Sequence, residues 1–415
     1  MSAGTGNRFA DLFSQATIRA GKGGTTSPRD AVGLISFYAG YPDPTSLPVD
    51  DIIESTRVAI ESDGDWALQY GASAGDPALI HELIEKLKRD QGIEANPENI
   101  LITNGGSQAL SLIVNLLVEP GDIVISEAPT WMGAVDNFTA AGADVREIAV
   151  DNEGADVAAI ERELAGLRDE GKRAKFVYVI PNFQNPSGVT MTLERRNRLL
   201  EIAAEYDVPI IEDDAYFDLR YSGASLPTLY QLDSGNRVMY MGTFSKIMAA
   251  GMRLGWVVAH EDVISHLIPL KAEGGTSPFA SHVATQFIAS GTLNEHVQEL
   301  RALYHSRRDV MLAVLEAHMP PGTTWTMPDG GFFIWVRFPE GVTMEKLSPA
   351  CRERGVEIAP GHIFYYHGRG ANELRLSYSF ADEEAIKQGI ATLGEIASEL
   401  IDADETRPAN RSTDR

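Results

Sequence analysis

One lysine stands where an apolar strand should end. In Met239-Tyr240-Met241-Gly242-Thr243-Phe244-Ser245-Lys246 an apolar run closes on Gly-Thr, and Lys246 follows on a Ser-containing turn. Arg253 then opens a second apolar stretch, Leu254 to Val258. A lysine buried at a sheet end has a depressed pKa and a usable free amine, which is what Schiff-base formation with a carbonyl compound requires. Thr243, Ser245 and Arg253 supply hydroxyl and guanidinium donors of the kind that hold a phosphate. The plainer reading is a solvated lysine and an arginine in an ordinary strand-loop-strand.

Four further features follow or sit within expected strands. Gly105-Gly106-Ser107-Gln108 opens a helix, whose N–H groups and positive end suit an anion. Pro181-Asn182-Phe183-Gln184-Asn185-Pro186-Ser187-Gly188 is either a plain loop or a rigid mount for an Asn amide. Ile211-Glu212-Asp213-Asp214-Ala215-Tyr216 places carboxylates at a strand end. There they could be a helix cap and a solvated neighbour, or one buried carboxylate holding a ring nitrogen protonated. Leu374-Arg375-Leu376 sets a guanidinium fork, matched to a carboxylate, between apolar strand residues. A lysine amine with a phosphate grip and a carboxylate for a ring nitrogen points to pyridoxal phosphate.

The elements that must position these groups alternate. Strands are predicted at Ile100 to Thr103, Ile123 to Ile125, Asp144 to Val150, Phe176 to Ile180, Val208 to Ile211, Val238 to Met241 and Leu254 to Val258. Helical patterns lie between most of them, notably Leu193 to Tyr206. Such alternation predicts an α/β fold with a mostly parallel sheet and ligands at the carboxyl ends of its strands. Earlier, Leu79, Ile80, Leu83, Ile84 and Leu87 keep helical spacing from Pro77 to Gln91, with Gly92 as the cap. Beyond 275 a long helix from Asn294 to His318 leads into a smaller α+β unit, with a last helix from Asp382 to Leu400.

Composition excludes several classes. Lys plus Arg number 35 against 59 Asp plus Glu, a net charge of -24, which disfavours nucleic acid and anionic membranes. Cys351 is the only cysteine, so neither an intrachain disulfide nor a multi-cysteine metal site is expected, and no metal ligand set is assigned. No signal-like N-terminus or long apolar run is present, and a cytoplasmic protein is expected.

The ordered set Gly40-x-Pro42, Gly106-Ser107-Gln108, Asn185-Pro186-x-Gly188, Asp213-x-x-Tyr216, Ser245-Lys246 with Arg253, and Arg375 resembles the fold type I pyridoxal phosphate aminotransferases. It is most similar to the class I/II branch with the 2-aminoadipate and kynurenine aminotransferases, over roughly residues 34–400. The resemblance implies a large domain over 65–290 with a mostly parallel seven-stranded sheet. It also implies a smaller α+β domain from 34–64 and 291–400, an N-terminal arm over 1–33 and a disordered tail over 401–415. Lys246 would form the internal aldimine with pyridoxal 5'-phosphate and shuttle the proton, and Asp213 would pair with the pyridinium nitrogen. Asn185 and Tyr216 would bond the ring hydroxyl, and Trp131 would stack on the ring. Gly106, Ser107, Gln108, Thr243, Ser245 and Arg253 would surround the phosphate, with Tyr70 reaching in from the second subunit of a homodimer. Arg375 would take the substrate's α-carboxylate, with the Gly40 backbone and Asn185 beside it. The implied reaction exchanges an amino group between an L-amino acid and a 2-oxo acid.

This sequence departs from the branch in three places. Trp131 stands where many members carry Tyr, and Ala249-Ala250-Gly251 replaces the usual Ser-Pro-Gly. The segment Arg19 to Pro28 is Gly-rich, with Arg19, Lys22 and Arg29 as candidates for a distal carboxylate or as plain surface cations. An oxidase, decarboxylase or lyase on the same scaffold is the alternative outcome. A transcription regulator using this fold would need a DNA-binding domain, which residues 1–33 are too short to form.

Overall fold

The computed structural model describes residues 10–21 and 33–405. Its largest sheet has, in spatial order, strands Ile100–Thr103, Gly255–Val258, Val238–Thr243, Ile210–Asp213, Ala174–Val179, Ile123–Ala128, Asp144–Asp151 and Gly154–Ala155. The five from Val238–Thr243 to Asp144–Asp151 run parallel, while Gly255–Val258 is antiparallel to both neighbours. All seven expected strands are present. The expectation of seven is corrected by Gly154–Ala155, a two-residue edge that pairs back on Asp144–Asp151 and is too short to show a periodic signal. Strands Ile100–Thr103, Ile123–Ala128, Ile210–Asp213, Val238–Thr243 and Gly255–Val258 are buried along their whole length, as a sheet covered on both faces requires.

A second, antiparallel sheet joins Thr324–Trp325, Phe333–Arg337, Glu373–Ser377 and Ala359–Pro360. Strand Ile35–Ser36 pairs with Val356–Glu357, so the early chain is sewn to the C-terminal unit. Helix Thr292–His318 links the two parts, its buried Leu300, Tyr304, Met311 and Leu315 lying in a core that also contains Phe332 and Leu376. Helix Pro77–Gln91 is capped by Asp76 at one end and by left-handed Gly92 at the other. The last helix, Glu383–Glu405, runs past the expected end at Leu400, so 401–405 are helical. Residues 406–415, and Lys22 and Arg29, lie outside the described residues.

The loops at the strand ends are held from below. Arg196, on helix Leu193–Tyr206, is fully buried and donates to the carbonyls of Met191 at 3.0 Å, Pro227 at 2.9 Å and Pro181 at 2.9 Å, and to Asn182 Oδ1 at 2.7 Å. It thereby clasps both ends of the loop that carries Asn185. Gly188 in that loop has φ +74, and a Cβ there would stand 2.3 Å from the Phe333 carbonyl oxygen, so only glycine fits. Replacing Arg196 by Met removes the donor to the carbonyls of Met191 and Pro227 and to Asn182 Oδ1, while the Pro181 carbonyl keeps the Met191 N–H at 2.8 Å. Arg196→Met should lower unfolding stability in urea by about 3 kcal/mol or more.

Candidate active site

Residues from separate strand ends meet at one cavity of about 330 Å³. Strand Ile210–Asp213 terminates on Asp213, and strand Val238–Thr243 runs into the turn Phe244–Lys246. Strand Ile100–Thr103 precedes helix Gly106–Leu117, whose cap residue Gly105 offers no side-chain acceptor to the first-turn N–H groups. The cavity is lined by Gly106, Ser107, Trp131, Asn185, Asp213, Tyr216, Thr243, Ser245, Lys246 and Arg253, with Gly40 and Arg375 from the other sheet's side.

The Lys246 amine donates to the Gly40 carbonyl at 2.9 Å and lies near the rings of Tyr216 and Phe332. Burial, with the charges of Arg375 and Arg253, lowers its pKa from 10.5 to about 8. Asp213 is 7% exposed, and burial raises its pKa to about 6. Its Oδ2 accepts a 2.7 Å hydrogen bond from the Tyr178 hydroxyl, which favours the ionised form. Tyr216 is buried, and its pKa lies above the ordinary phenol value for that reason first.

Arg375 donates to Asn185 Oδ1 at 2.8 Å and to the Tyr38 carbonyl, while its Nε has no partner among the described residues. The guanidinium lies between the rings of Phe333 at 4.2 Å and Phe364 at 4.8 Å. Burial lowers its pKa to about 10, so it remains a cation at neutral pH. Gly40 is tied to this arrangement, because a Cβ there would stand 2.6 Å from the Phe333 ring. At the other end, Thr243 accepts the Ser245 N–H at 3.1 Å. Arg253 has φ +51 and donates to the carbonyls of Ala250 at 3.3 Å and Asn104 at 3.2 Å. Gly105, φ +80, lies so close to Arg253 that a Cβ would stand 2.6 Å from its Nη2.

The structure corrects the expectation for Gln108 and places four other named residues outside the cavity. Gln108 does not line the cavity: its Oε1 accepts the Asn104 N–H at 2.8 Å and its Nε2 donates to Glu273, which draws the side chain away. Tyr70 is 93% exposed and absent from its own chain's cavity. Arg19 donates to the Ala140 carbonyl at 3.2 and 3.1 Å, near the C-terminus of helix Met132–Ala141, where carbonyls without helical partners attract a cation. Glu212 and Asp214, beside Asp213, are both buried: Glu212 accepts the N–H groups of Leu229 and Tyr230 that open helix Leu229–Leu232, each at 2.8 Å, and Asp214 accepts from Asn182 at 2.9 Å.

Sequence reading missed Tyr178 and Glu127. Tyr178 pairs with Ile211 across the parallel ladder, which brings its hydroxyl to Asp213, and that register has no sequence signal. Glu127 accepts the Ile180 N–H at 3.0 Å and the Gln184 amide at 3.2 Å, and burial lifts its pKa to about 8. It joins the loop before Trp131 to the loop of Asn185.

The sequence profile of the class I and II aminotransferases matches residues 38–393. The chain belongs to that family. Aromatic-amino-acid aminotransferase 1 of Thermococcus litoralis is 39% identical over 88% of this chain and 88% of its own. The 2-aminoadipate transaminase of Thermus thermophilus is 33% identical over 89% of this chain and 91% of its own. The structure of Pyrococcus horikoshii kynurenine aminotransferase, in complex with PMP and substrates, superposes with a TM-score of 0.89 at 38% identity, covering 95% of this chain and 98% of that one. This aminotransferase accordingly uses pyridoxal phosphate for transamination. No helix among the described residues is long and apolar enough to cross a membrane.

The lowered lysine pKa gives a direct test. An amine reagent applied to the cofactor-free protein should modify Lys246 with a midpoint near pH 8, so that at neutral pH about a tenth of it is free amine. A midpoint above pH 10, as for a solvated lysine, contradicts the burial argument.

Proposed function

We propose that this aminotransferase takes its amino group from an L-amino acid with a large neutral or aromatic side chain and passes it to a 2-oxo acid, with Lys246 holding the cofactor covalently. The observation that carries the donor class is the lining. Tyr38, Tyr41, Trp131, Met132, Ile180 and Phe333 face the cavity, and its only cations among the described residues are Lys246, Arg253 and Arg375. Arg375 serves the α-carboxylate and Arg253 the cofactor phosphate, which leaves no described cation for a distal carboxylate. The names of the Thermococcus and Pyrococcus relatives agree with an aromatic or kynurenine-like donor.

The donor set fits pyridoxal phosphate. A carboxylate stands ready for the ring nitrogen, and the amine titrates near neutrality. Ser107, Thr243, Ser245 and Arg253 line the cavity beside the start of helix Gly106–Leu117, and their hydroxyl, guanidinium and N–H donors would suit the cofactor phosphate. When bound, the cofactor supplies a carbonyl carbon for the amino group and a ring that accepts an electron pair. Asp213, kept ionised with help from Tyr178, would pair with the ring nitrogen, and Asn185 and Tyr216 would bond the ring hydroxyl. Trp131, which lines the cavity, would cover one ring face. Arg375, which lines the cavity, would grip the substrate carboxylate and so aim the Cα–H bond, and the Lys246 amine would remove and return that proton.

Exposure of Tyr70, Trp66 and Leu68 together supports a homodimer in which Tyr70 enters the neighbouring site. The acidic single-cysteine chain supports a cytoplasmic setting. The pairing of Ile35–Ser36 with Val356–Glu357 supports assigning that start to the small domain of 291–400. Helix Val49–Ala67, most of which the 34–64 boundary gives to the small domain, packs on Pro278–Ala289, which supports moving it to the large one.

Mixed with holoenzyme in the absence of an oxo acid, L-phenylalanine or L-tyrosine should convert the cofactor absorbance to the pyridoxamine form at least about tenfold faster than L-aspartate or L-glutamate. An equal or reversed order removes the aromatic lining as the selector. Tyr178→Phe takes away a bond that stabilises ionised Asp213. Its pKa should rise, and the acid limb of kcat/KM should move to higher pH with a loss of about tenfold on that limb; an unshifted profile contradicts the positioning role.

A further inference from the structure

A second cavity, of about 450 Å³, lies between helix Pro77–Gln91, the segment 217–225 and the first turns of helix Thr292–His318. Six charged side chains line it: Lys86, Arg89, Asp90, Asp218, Arg220 and Arg301. Four of them neutralise one another. Lys86, 1% exposed, meets Asp218 at 2.8 Å and Asp90 at 3.3 Å, and Arg89 meets Asp90 at 2.7 Å.

Arg220 and Arg301 are left over, and among the described residues neither forms an ion pair. The Arg301 Nε donates to the Asp218 carbonyl at 2.6 Å, which leaves both terminal nitrogens free of protein acceptors among the described residues. Arg220 makes one long bond, 3.4 Å to the Ser222 carbonyl, and its guanidinium lies 4.7 Å from the centre of the Phe183 ring. Asp329 attracts it from beyond hydrogen-bond reach while accepting the Ser222 hydroxyl at 2.8 Å. Burial first, and then the repulsion of Arg196 and Arg301, lower the Arg220 pKa. Four cations against two carboxylates leave two positive charges in this cavity, in a chain of net charge -24.

Two half-buried guanidiniums facing one concave space, each holding unused donors, form a fork for oxygens that carry more than one negative charge. We propose that this cavity binds a small multivalent oxyanion, either a phosphate group or a polycarboxylate, between Arg220 and Arg301. The bound ion ties segment 217–225 to helix Thr292–His318. That segment begins next to Tyr216, and Phe183 beneath Arg220 is two residues from Asn185, so the site lies against the reverse side of two loops of the active site.

Calorimetric titration of the holoenzyme with inorganic phosphate and, separately, with citrate tests this, against chloride at equal ionic strength. Saturable binding of at least one anion is expected, weakened about tenfold or more in Arg220→Gln and in Arg301→Gln. Tighter phosphate identifies a phosphorylated ligand, and tighter citrate a polycarboxylate. Retained cofactor absorbance and melting temperature verify that each variant is folded. Where a glutamine variant is not, Arg220→Lys keeps the charge and loses the fork, and its binding should still fall. No saturable binding of either anion overturns the proposal. So does binding that is unchanged in the variants, because it places the ion at Arg253 or Arg375 instead.

Discussion

Burial of the Lys246 amine is the constraint on which the rest of the site depends. An amine that titrates near 8 instead of 10.5 carries about 3 kcal/mol of disfavoured charge, and the fold must hold it against the pull of water. It does so by setting the lysine one turn past a fully buried strand and giving the amine the Gly40 carbonyl as an acceptor. The two positive guanidiniums of Arg375 and Arg253 lower the pKa further. Asp213 is the counterpart, a carboxylate at the end of the adjacent parallel strand, where Asp213 pairs with Met241 in the ladder. Strand register thus sets the amine and the carboxylate against the same cavity.

The second constraint is that this arrangement is completed by another sheet. Arg375 lies in the middle of strand Glu373–Ser377, far in sequence from the loops it meets, and its bond to Asn185 joins the two parts of the molecule across the substrate position. The Phe333 and Phe364 rings fix the plane of the guanidinium, and glycine at 40 and 188 lets the backbones approach closely enough for it to reach. Arg196 and Glu127 hold the intervening loops from below, one with a cation and the other with a carboxyl group whose burial favours its neutral form. Precision at the site is therefore a property of buried polar contacts beneath it as much as of the groups that face the substrate.

Much of this was legible in the sequence because it is written locally. Apolar runs of four to six residues between helical patterns locate the central strands, and Lys246, Asp213 and Asn185 stand out because polar residues follow those runs. What was not legible depends on register and on distant partners. Tyr178 looks like any aromatic in a buried strand until the ladder sets it beside Asp213. Gln108 fits a phosphate-loop pattern, yet Glu273, far along the chain, captures its amide. The roles of Glu212 and Asp214 stay open between cap, solvated neighbour and buried carboxylate, because nothing near them in sequence announces the N–H groups of Leu229 and Tyr230 or the amide of Asn182.

The central claim is that Lys246, and no other amine, carries the cofactor. Lys271 is the informative rival, since burial also lowers its pKa to about 8, but its amine is held by the carbonyls of Ser73 and Ile102 at 2.9 and 2.8 Å. Borohydride reduction of the holoenzyme followed by peptide mass mapping tests the claim directly. The account predicts a single pyridoxyl-modified peptide containing Lys246. A modification on Lys271 or any other lysine, or a protein left unmodified while its cofactor is bound, would contradict it.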